Sequence, residues 1–232
     1  MLEIFNSFSW AALAQIVAID ILLGGDNAVV IALACRNLPA DLRKRAITAG
    51  VAGAILLRIA LLFFAIQILA LPALKIVGGL MLLWIGIKLF QAEQEDTGEI
   101  AGGTKLISAV KTIIIADAVM SLDNVLALAG AAGGDLLLVS LGVLISIPII
   151  VWGSRFVLAL MDRFPQVIAL GAALLGWIAG GMIAADALVA KHLATMPITP
   201  STMHYASAAV GAVLVIALGY LISRKRALPA RS

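Results

Sequence analysis

Long apolar runs alternate with short polar breaks along almost the whole chain. Crossing a bilayer takes about 20 mostly apolar residues, and seven runs reach that length. They cover about 9–34, 46–70, 72–91, 107–131, 136–160, 165–187 and 204–223. Backbone polar groups in lipid must be hydrogen-bonded within their own segment, so the pattern predicts seven transmembrane helices rather than open strands.

The composition agrees with this pattern. Of the 232 residues, 63% are hydrophobic and only 12% are charged, and the mean hydropathy is +1.13. A soluble domain has about 25% charged residues. The prediction is therefore an all-α, polytopic membrane helix bundle, a single domain over 1–232, in the plasma membrane. The start of the chain, MLEIFNSFSW, has no basic cluster, which argues against a cleaved signal peptide.

Basic residues lie in short clusters at the ends of the apolar runs, so no nucleic-acid surface is expected. With the N-terminus outside, external segments carry only Lys75 and Lys191, while Arg58 and Arg155 lie within runs. Cytoplasmic segments, which are normally enriched in Lys and Arg, carry the others. These are Arg36, Arg43, Lys44, Arg45, Lys88, Lys105, Lys111, Arg163, Arg224, Lys225, Arg226 and Arg231. The bias predicts an external N-terminus and a cytoplasmic C-terminus.

The chain contains an internal repeat. IVAIDILLGGDNAVVIALA (16–34) resembles IIIADAVMSLDNVLALAG (113–130), and GGLMLLWIG (78–86) resembles GAALLGWIAG (171–180). The repeats are expected over about 9–91 and 107–187, joined by an acidic cytoplasmic loop over about 92–106 and followed by a seventh helix over about 204–223. Three crossings are an odd number, so the prediction is a 3+3 inverted repeat plus one helix, an architecture that recurs in transporters.

Each copy of the repeat carries two acids and an amide in an apolar run. The matched pairs are Asp20 with Asp117, Asp26 with Asp123, and Asn27 with Asn124. On a continuous helix, acids six residues apart lie on different faces. Gly24 and Gly25 permit a break that would let Asp20 and Asp26 converge. Symmetry predicts a matching break at Ser121-Leu122, although its composition favours one less.

These six side chains are hard oxygen donors, the type of ligand that binds Mg²⁺, Ca²⁺ or Mn²⁺. We therefore expect Asp20, Asp26, Asn27, Asp117, Asp123 and Asn124 to form a metal site. Arg58 and Arg155, which match in the repeat, are candidate counter-ions. The single cysteine, Cys35, and the two histidines lie outside the motifs, so a zinc or copper site has little support. Exchange of the cation for protons is a further hypothesis.

The remaining polar and small residues have structural interpretations. Asp186 is expected to be solvated or to cap a helix, and His192 and His204 to be solvated in or near the last external loop. Three glycines in the third span of each repeat are expected to allow close helix packing rather than to contact a ligand. They are Gly78, Gly79, Gly86, Gly171, Gly176 and Gly180.

The paired motifs DILLGGDN (20–27) and DAVMSLDN (117–124) resemble those of the TerC family of the LysE transporter superfamily. The length and the seven spans are similar to its small YjbE-like members, and the resemblance covers nearly the whole chain. It implies manganese export from the cytoplasm with the motif acids as the metal site. Mn²⁺ would then be the transported substrate, and no cofactor or enzymatic activity is implied.

Two other functions compete with this one. In the first, the protein is an exporter of Ca²⁺ or of a cationic small solute, because the donor set does not distinguish these from Mn²⁺. The second is an intramembrane aspartyl protease, in which two buried acids share a proton and activate water. The four acids with matching amides favour the exporter. The sequence leaves the oligomeric state open.

Overall fold

The structure is a computed structural model that describes residues 10–64, 71, 73–91, 102–131, 135–193 and 199–227. All regular secondary structure in these residues is α-helical, which confirms the predicted class. The helices are α1 (Trp10–Leu23), α2 (Gly25–Cys35), α3 (Ala40–Phe63), α4 (Leu74–Gln91), α5 (Gly102–Ala131), α6 (Leu136–Arg163), α7 (Gln166–Ala184), α8 (Ala187–Leu193) and α9 (Pro200–Ala227).

Several helices begin earlier than the apolar runs that predicted them. The run predicted from about 46 begins as a helix at Ala40, and the one predicted from about 107 begins at Gly102. Hydropathy marks only the part of a helix that is suited to lipid, whereas the hydrogen-bonded helix continues into neighbouring polar residues. Most of the predicted acidic loop, 92–101, lies outside the described residues.

Five of the described helices are long and apolar enough to cross a membrane: α3, α4, α6, α7 and α9. If the bent pair of α1 and α2 is counted as one span, the described residues contain up to six candidate spans. The predicted span at 107–131 falls within α5, which is not among these six, so the number seven remains a prediction.

The outer surface of the bundle is apolar. Large side chains such as Trp152, Leu170 and Val213 are exposed on α6, α7 and α9. Monomeric soluble proteins rarely expose continuous apolar surface on this scale. The surface is therefore suited to lipid rather than to water.

The helices of the two predicted repeats interleave. α3 packs along α5, while α6 packs against α1 and α2. α7 lies between α4 and α9 and packs extensively against both. The main core is formed by buried side chains of α2 to α7, including Leu82, Ile113 and Leu175. This arrangement brings the two motif-bearing segments, α1–α2 and α5, to the inside of the bundle.

Glycines set the close approach of α4, α7 and α9. A Cβ added at Gly79 would lie 2.8 Å from Ala179 O, one at Gly176 would lie 2.4 Å from Gly211 O, and one at Gly180 would lie 2.0 Å from Ser207 O. Added Cβ atoms at Gly78, Gly86 and Gly171 would press on neighbouring side chains. The predicted packing role of all six glycines is confirmed.

Asp186 caps two helices rather than facing solvent. It is only 3% exposed. Its Oδ2 accepts hydrogen bonds from Lys75 N and Ile76 N at 3.1 and 3.4 Å, and its Oδ1 accepts from Leu188 N at 2.9 Å. The carboxylate thus satisfies free N–H groups at the start of both α4 and α8, where the helix dipole also favours a negative charge. The expected capping role is confirmed, and solvation of this residue is wrong.

The glycine contacts make a testable prediction about stability. Gly176→Ala and Gly180→Ala should each destabilise the protein by about 1–3 kcal/mol, because a backbone atom must move to make room. Thermal unfolding in detergent would measure the change. Gly103→Ala is the matched control, since a Cβ there meets nothing within 4 Å, and equal losses in all three variants would contradict the packing role.

Candidate ion site

A break separates α1 from α2 at Gly24, as the sequence predicts. The two helices meet at an angle of 46°. Gly24 has φ −99° and ψ 6°, values that other residues also adopt. What glycine supplies is space: a Cβ would lie 2.6 Å from Asp20 O and 3.2 Å from Ile150 Cδ1. At Gly25 a Cβ would meet nothing within 4 Å.

Arg58 joins the first acid of each motif copy. From the C-terminal part of α3, its Nη1 donates to Asp20 Oδ1 at 2.7 Å and its Nη2 donates to Asp117 Oδ1 at 2.8 Å. The side chains of Arg58 and Asp20 are 4% and 0% exposed, and that of Asp117 is 13% exposed. One guanidinium thus serves as the counter-ion of two buried carboxyl groups.

Two buried serines complete this network. Ser121 Oγ accepts from Arg58 Nε at 2.9 Å and donates to Asp117 Oδ2 at 3.3 Å. Ser146 on α6 donates to Asp20 Oδ2. The remaining oxygens of both carboxylates therefore face polar groups rather than hydrocarbon. Ser146 was not among the site residues predicted from the sequence. The feature that could have indicated it is a single hydroxyl side chain within an apolar run.

The predicted break at Ser121-Leu122 is wrong. α5 is one helix from Gly102 to Ala131 and passes through both residues. Unlike glycine, Ser121 has a side chain that restricts its backbone angles. Its hydroxyl donates a hydrogen bond to Asp117, one turn earlier on the same helix. The two copies of the motif thus have different backbones, one broken and one continuous.

The two motif amides also differ. Asn124 Nδ2 donates to Leu23 O at 3.4 Å, so the second copy of the motif supplies a partner for a carbonyl at the break in the first. Asn27 is 3% exposed, and neither its Oδ1 nor its Nδ2 has a hydrogen-bond partner among the described residues. An amide buried without a partner costs about 1–3 kcal/mol, so a ligand that satisfied it would be favoured.

Asn27 shares a cavity with the Arg58 network. This inner chamber is lined by Asp20, Asn27, Arg58 and Asp117 with apolar side chains of α2, α3, α5 and α6, and has a volume of about 30 Å³. A water molecule needs about 10–15 Å³ by this kind of measure. The inner chamber therefore has space for a water molecule or a dehydrated ion next to carboxylate and amide oxygens.

The other motif residues lie elsewhere. Asp26 and Asn124 line a second, more open cavity of about 260 Å³, together with Met120, Met182 and His204. Asp20 and Asp26 therefore line different cavities, and backbone hydrogen bonds from Gly24 N to Asp20 O and from Asn27 N to Gly24 O continue across the break between them. His204 is exposed, and the sequence did not indicate that it lines the same cavity as Asp26.

The remaining predicted site residues divide as follows. Asp123 lies on α5, and its side chain is outside the described part of the structure. Arg155 is exposed and lines a cavity with Lys44 and Asp162, beside the start of α3, which places it apart from the Asp20 and Asp117 network; its predicted role as a counter-ion stays a prediction. Its place in the repeat gives it the same register as Arg58 but a different neighbourhood. No group of three or more His, Cys, Asp or Glu residues in the described segments is arranged to hold a metal ion.

The sequence is similar over most of its length to a family of membrane proteins. The sequence model of the family described as "Integral membrane protein TerC family" matches residues 5–227. The chain belongs to the TerC family. No solved structure matches it significantly.

Bacterial relatives cover most of the TerC-family chain. It is 43% identical over 183 residues to "Uncharacterized membrane protein YjbE" of Bacillus subtilis (strain 168), which covers 79% of this chain and 84% of YjbE. It is 28% identical to "Uncharacterized membrane protein YceF" of the same organism, with coverage of 74% and 70%. It is 27% identical to "UPF0053 inner membrane protein YgdQ" of Escherichia coli (strain K12), with coverage of 68% and 74%. With the candidate spans, these matches identify a multi-pass integral membrane protein, as predicted.

The break at Gly24 predicts unequal effects of two neighbouring substitutions. Gly24→Ala should destabilise the protein by about 1–3 kcal/mol, because the added methyl group overlaps Asp20 O. Gly25→Ala should leave the stability unchanged or raise it by up to about 1 kcal/mol, since alanine is the better helix former. Chemical unfolding in mixed micelles would compare them, and a larger loss for Gly25→Ala would refute this explanation of the break.

The Arg58 network makes a second prediction about stability. Arg58→Gln should cost about 3–5 kcal/mol, because it leaves two carboxylates without their counter-ion. Arg58→Lys should cost less, but the variant should still be less stable than the wild type, since an ammonium group lacks the planar arrangement of donors of a guanidinium. The control is Asp162→Asn, which breaks a more exposed ion pair with Arg43 worth about 1 kcal/mol or less. Unfolding midpoints that do not separate Arg58→Gln from Asp162→Asn would argue against a central role for Arg58.

Proposed function

We propose that the protein exports a divalent metal cation, principally Mn²⁺, from the cytoplasm. The observation that carries the proposal is the meeting of Asp20 and Asp117, one acid from each motif copy, at a buried chamber that also contains the unpaired amide of Asn27. Carboxylate and amide oxygens are suitable ligands for Mn²⁺, Mg²⁺ and Ca²⁺. An intramembrane ionisable residue is by default a candidate functional residue, and this pair lies on helices from both repeats.

Arg58 has a defined part in this proposal. Its guanidinium binds both carboxylates and holds α1, α3 and α5 together, and in the proposed cycle this is the group that the divalent cation displaces. A divalent cation between the same carboxylates would balance their charges without Arg58. Loading is therefore a replacement of Arg58 by the substrate cation, and release allows Arg58 to return. In the proposed proton-coupled cycle, protons replace the departing cation on the acids.

Helix pairing supports the inverted repeat and the seven-span topology that belong to this proposal. The first segment of repeat one, α1–α2, packs on α6, the second helix of repeat two. Conversely, α3 packs on α5, and the third helices, α4 and α7, pack on each other. A two-fold axis in the membrane plane would produce this exchange. The broken and continuous motif helices are then the two unequal halves of a transporter open to one side.

The same geometry disfavours the protease. An aspartyl dyad needs two acids that share a proton and a water molecule. Asp20 and Asp117 instead accept hydrogen bonds from the two terminal nitrogens, Nη1 and Nη2, of the Arg58 guanidinium. The proposal accordingly remains a transporter rather than an enzyme, with the lipid bilayer and the substrate ion as its partners.

Transport in reconstituted vesicles tests the proposal. With a metal-sensitive dye and a panel of Mn²⁺, Ca²⁺ and Mg²⁺, Asp20→Asn and Asp117→Asn should each lower Mn²⁺ flux at least about tenfold, since each removes a charged oxygen ligand. Asp41→Asn is the matched control, because Asp41 is exposed at the start of α3. Unchanged Mn²⁺ flux in both motif variants, or no flux of any of the three ions through the wild type, would overturn the proposal.

A further inference from the structure

The second cavity, which we call the outer chamber, has a composition different from that of the inner chamber. Its polar and sulfur-bearing lining consists of Asp26, Met120, Asn124, Met182 and His204. It has a volume of about 260 Å³ and a wide opening. These side chains come from α2, α5, α7 and α9, so the chamber forms only when the last helix packs on the repeats.

The two chambers adjoin across the first turn of α2. Asp26 lines the outer chamber and the next residue, Asn27, lines the inner one. On α5, Asp117 lines the inner chamber, while Met120 and Asn124 line the outer one. A cation that leaves Asp20 and Asp117 along these two helices therefore reaches Asp26 and Asn124, six and seven residues further along the chain, after about two helical turns.

His204 changes the chemistry of the outer chamber. Its exposed imidazole lies beside the chamber near the start of α9 and contacts Tyr205 edge-on, with ring centroids 5.5 Å apart. Imidazole is a good ligand for first-row transition metals, whereas Ca²⁺ and Mg²⁺ are bound almost entirely by oxygen. A carboxylate, an amide and an imidazole in one cavity thus favour a divalent transition metal.

Gly181 provides the space for this imidazole. A Cβ at position 181 would lie 2.7 Å from His204 Cε1 and 3.1 Å from its Nε2. The absence of a side chain on α7 lets the ring lie against the helix at the edge of the chamber. Gly180 and Gly181 are neighbours in the sequence but make room for different groups. A Cβ at Gly180 would meet the backbone of α9, whereas a Cβ at Gly181 would meet the His204 ring.

We propose that the outer chamber is a second cation-binding position, in which His204 with Asp26 and Asn124 selects first-row transition divalent ions over Ca²⁺ and Mg²⁺. The inner chamber has only oxygen donors and binds the cation without this preference. As a step on a transport path the inference rests on the proposed function. As a metal site it can be tested separately from transport.

Direct binding gives the first test. The protein, purified without a histidine tag and loaded with Mn²⁺ alone, should show hyperfine coupling from an imidazole nitrogen in pulsed electron paramagnetic resonance. The double variant Asp20→Asn/Asp117→Asn should keep this coupling, because it alters only the inner chamber. His204→Gln should lose it, and His192→Gln, which replaces the other of the two histidines in the chain, should retain it. A coupling absent from the wild type, or retained in His204→Gln, overturns the inference.

Selectivity gives the second test. In vesicles, His204→Gln and Gly181→Ala should each lower the preference for Mn²⁺ over Ca²⁺, measured by Ca²⁺ competition with Mn²⁺ flux, by about tenfold or more. His192→Gln should leave it unchanged. Wild-type Mn²⁺ flux with unaltered competition in both variants overturns the outer-chamber inference alone. If the wild type shows imidazole coupling but transports none of the ions, the proposed transport is contradicted and the metal site in the outer chamber is still supported.

Discussion

The contact of one guanidinium with two carboxylates is the interaction on which the interior of this bundle depends. Arg58 on α3 reaches Asp20 on α1 and Asp117 on α5, and all three side chains are largely withdrawn from solvent. Removing a charge from water costs several kcal/mol per ion unless partners with good geometry compensate it. Here Ser121 and Ser146 complete the hydrogen bonding. Three helices are thereby joined at a point where apolar packing alone specifies little, because lipid is as apolar as the side chains.

The break at Gly24 and the network around Arg58 are parts of one arrangement. By interrupting α1–α2, the break changes the direction of the chain between Asp20 and Asp26, and Asn124 from the second motif bonds a carbonyl exposed there. The two motif copies therefore have different structural roles, since the first supplies the bend and the second supplies a continuous helix that stabilises it. Asn27, the counterpart of Asn124, is left with an unpaired amide beside the inner chamber. Equivalent residues of the two motif copies thus have different partners.

Two chambers with different linings outline the path of the proposed transport. The inner chamber has carboxylates and an amide, and its charge is already partly balanced by Arg58. The outer chamber adds an imidazole through α9, the helix that lies outside the repeat. The glycines of α7 permit both the close approach of α9 and the placement of its histidine. The seventh predicted helix is thus part of the candidate site and not only a peripheral addition.

Composition and periodicity were sufficient to predict an all-helical membrane protein, its duplicated motif, the break at Gly24 and the close-packing glycines, because hydropathy, repeat matching and the absence of a side chain are local properties. The sequence alone did not decide which equivalent residues would behave alike. Arg58 and Arg155 match in register, yet Arg58 meets Asp20 and Asp117 while Arg155 lies with Lys44 and Asp162. Ser121-Leu122 matches Gly24-Gly25, yet α5 stays continuous. Nor did the sequence place His204 in the same cavity as Asp26. Those outcomes depend on which helix packs against which, and a side chain's partners in a bundle are set by neighbours far away in the chain.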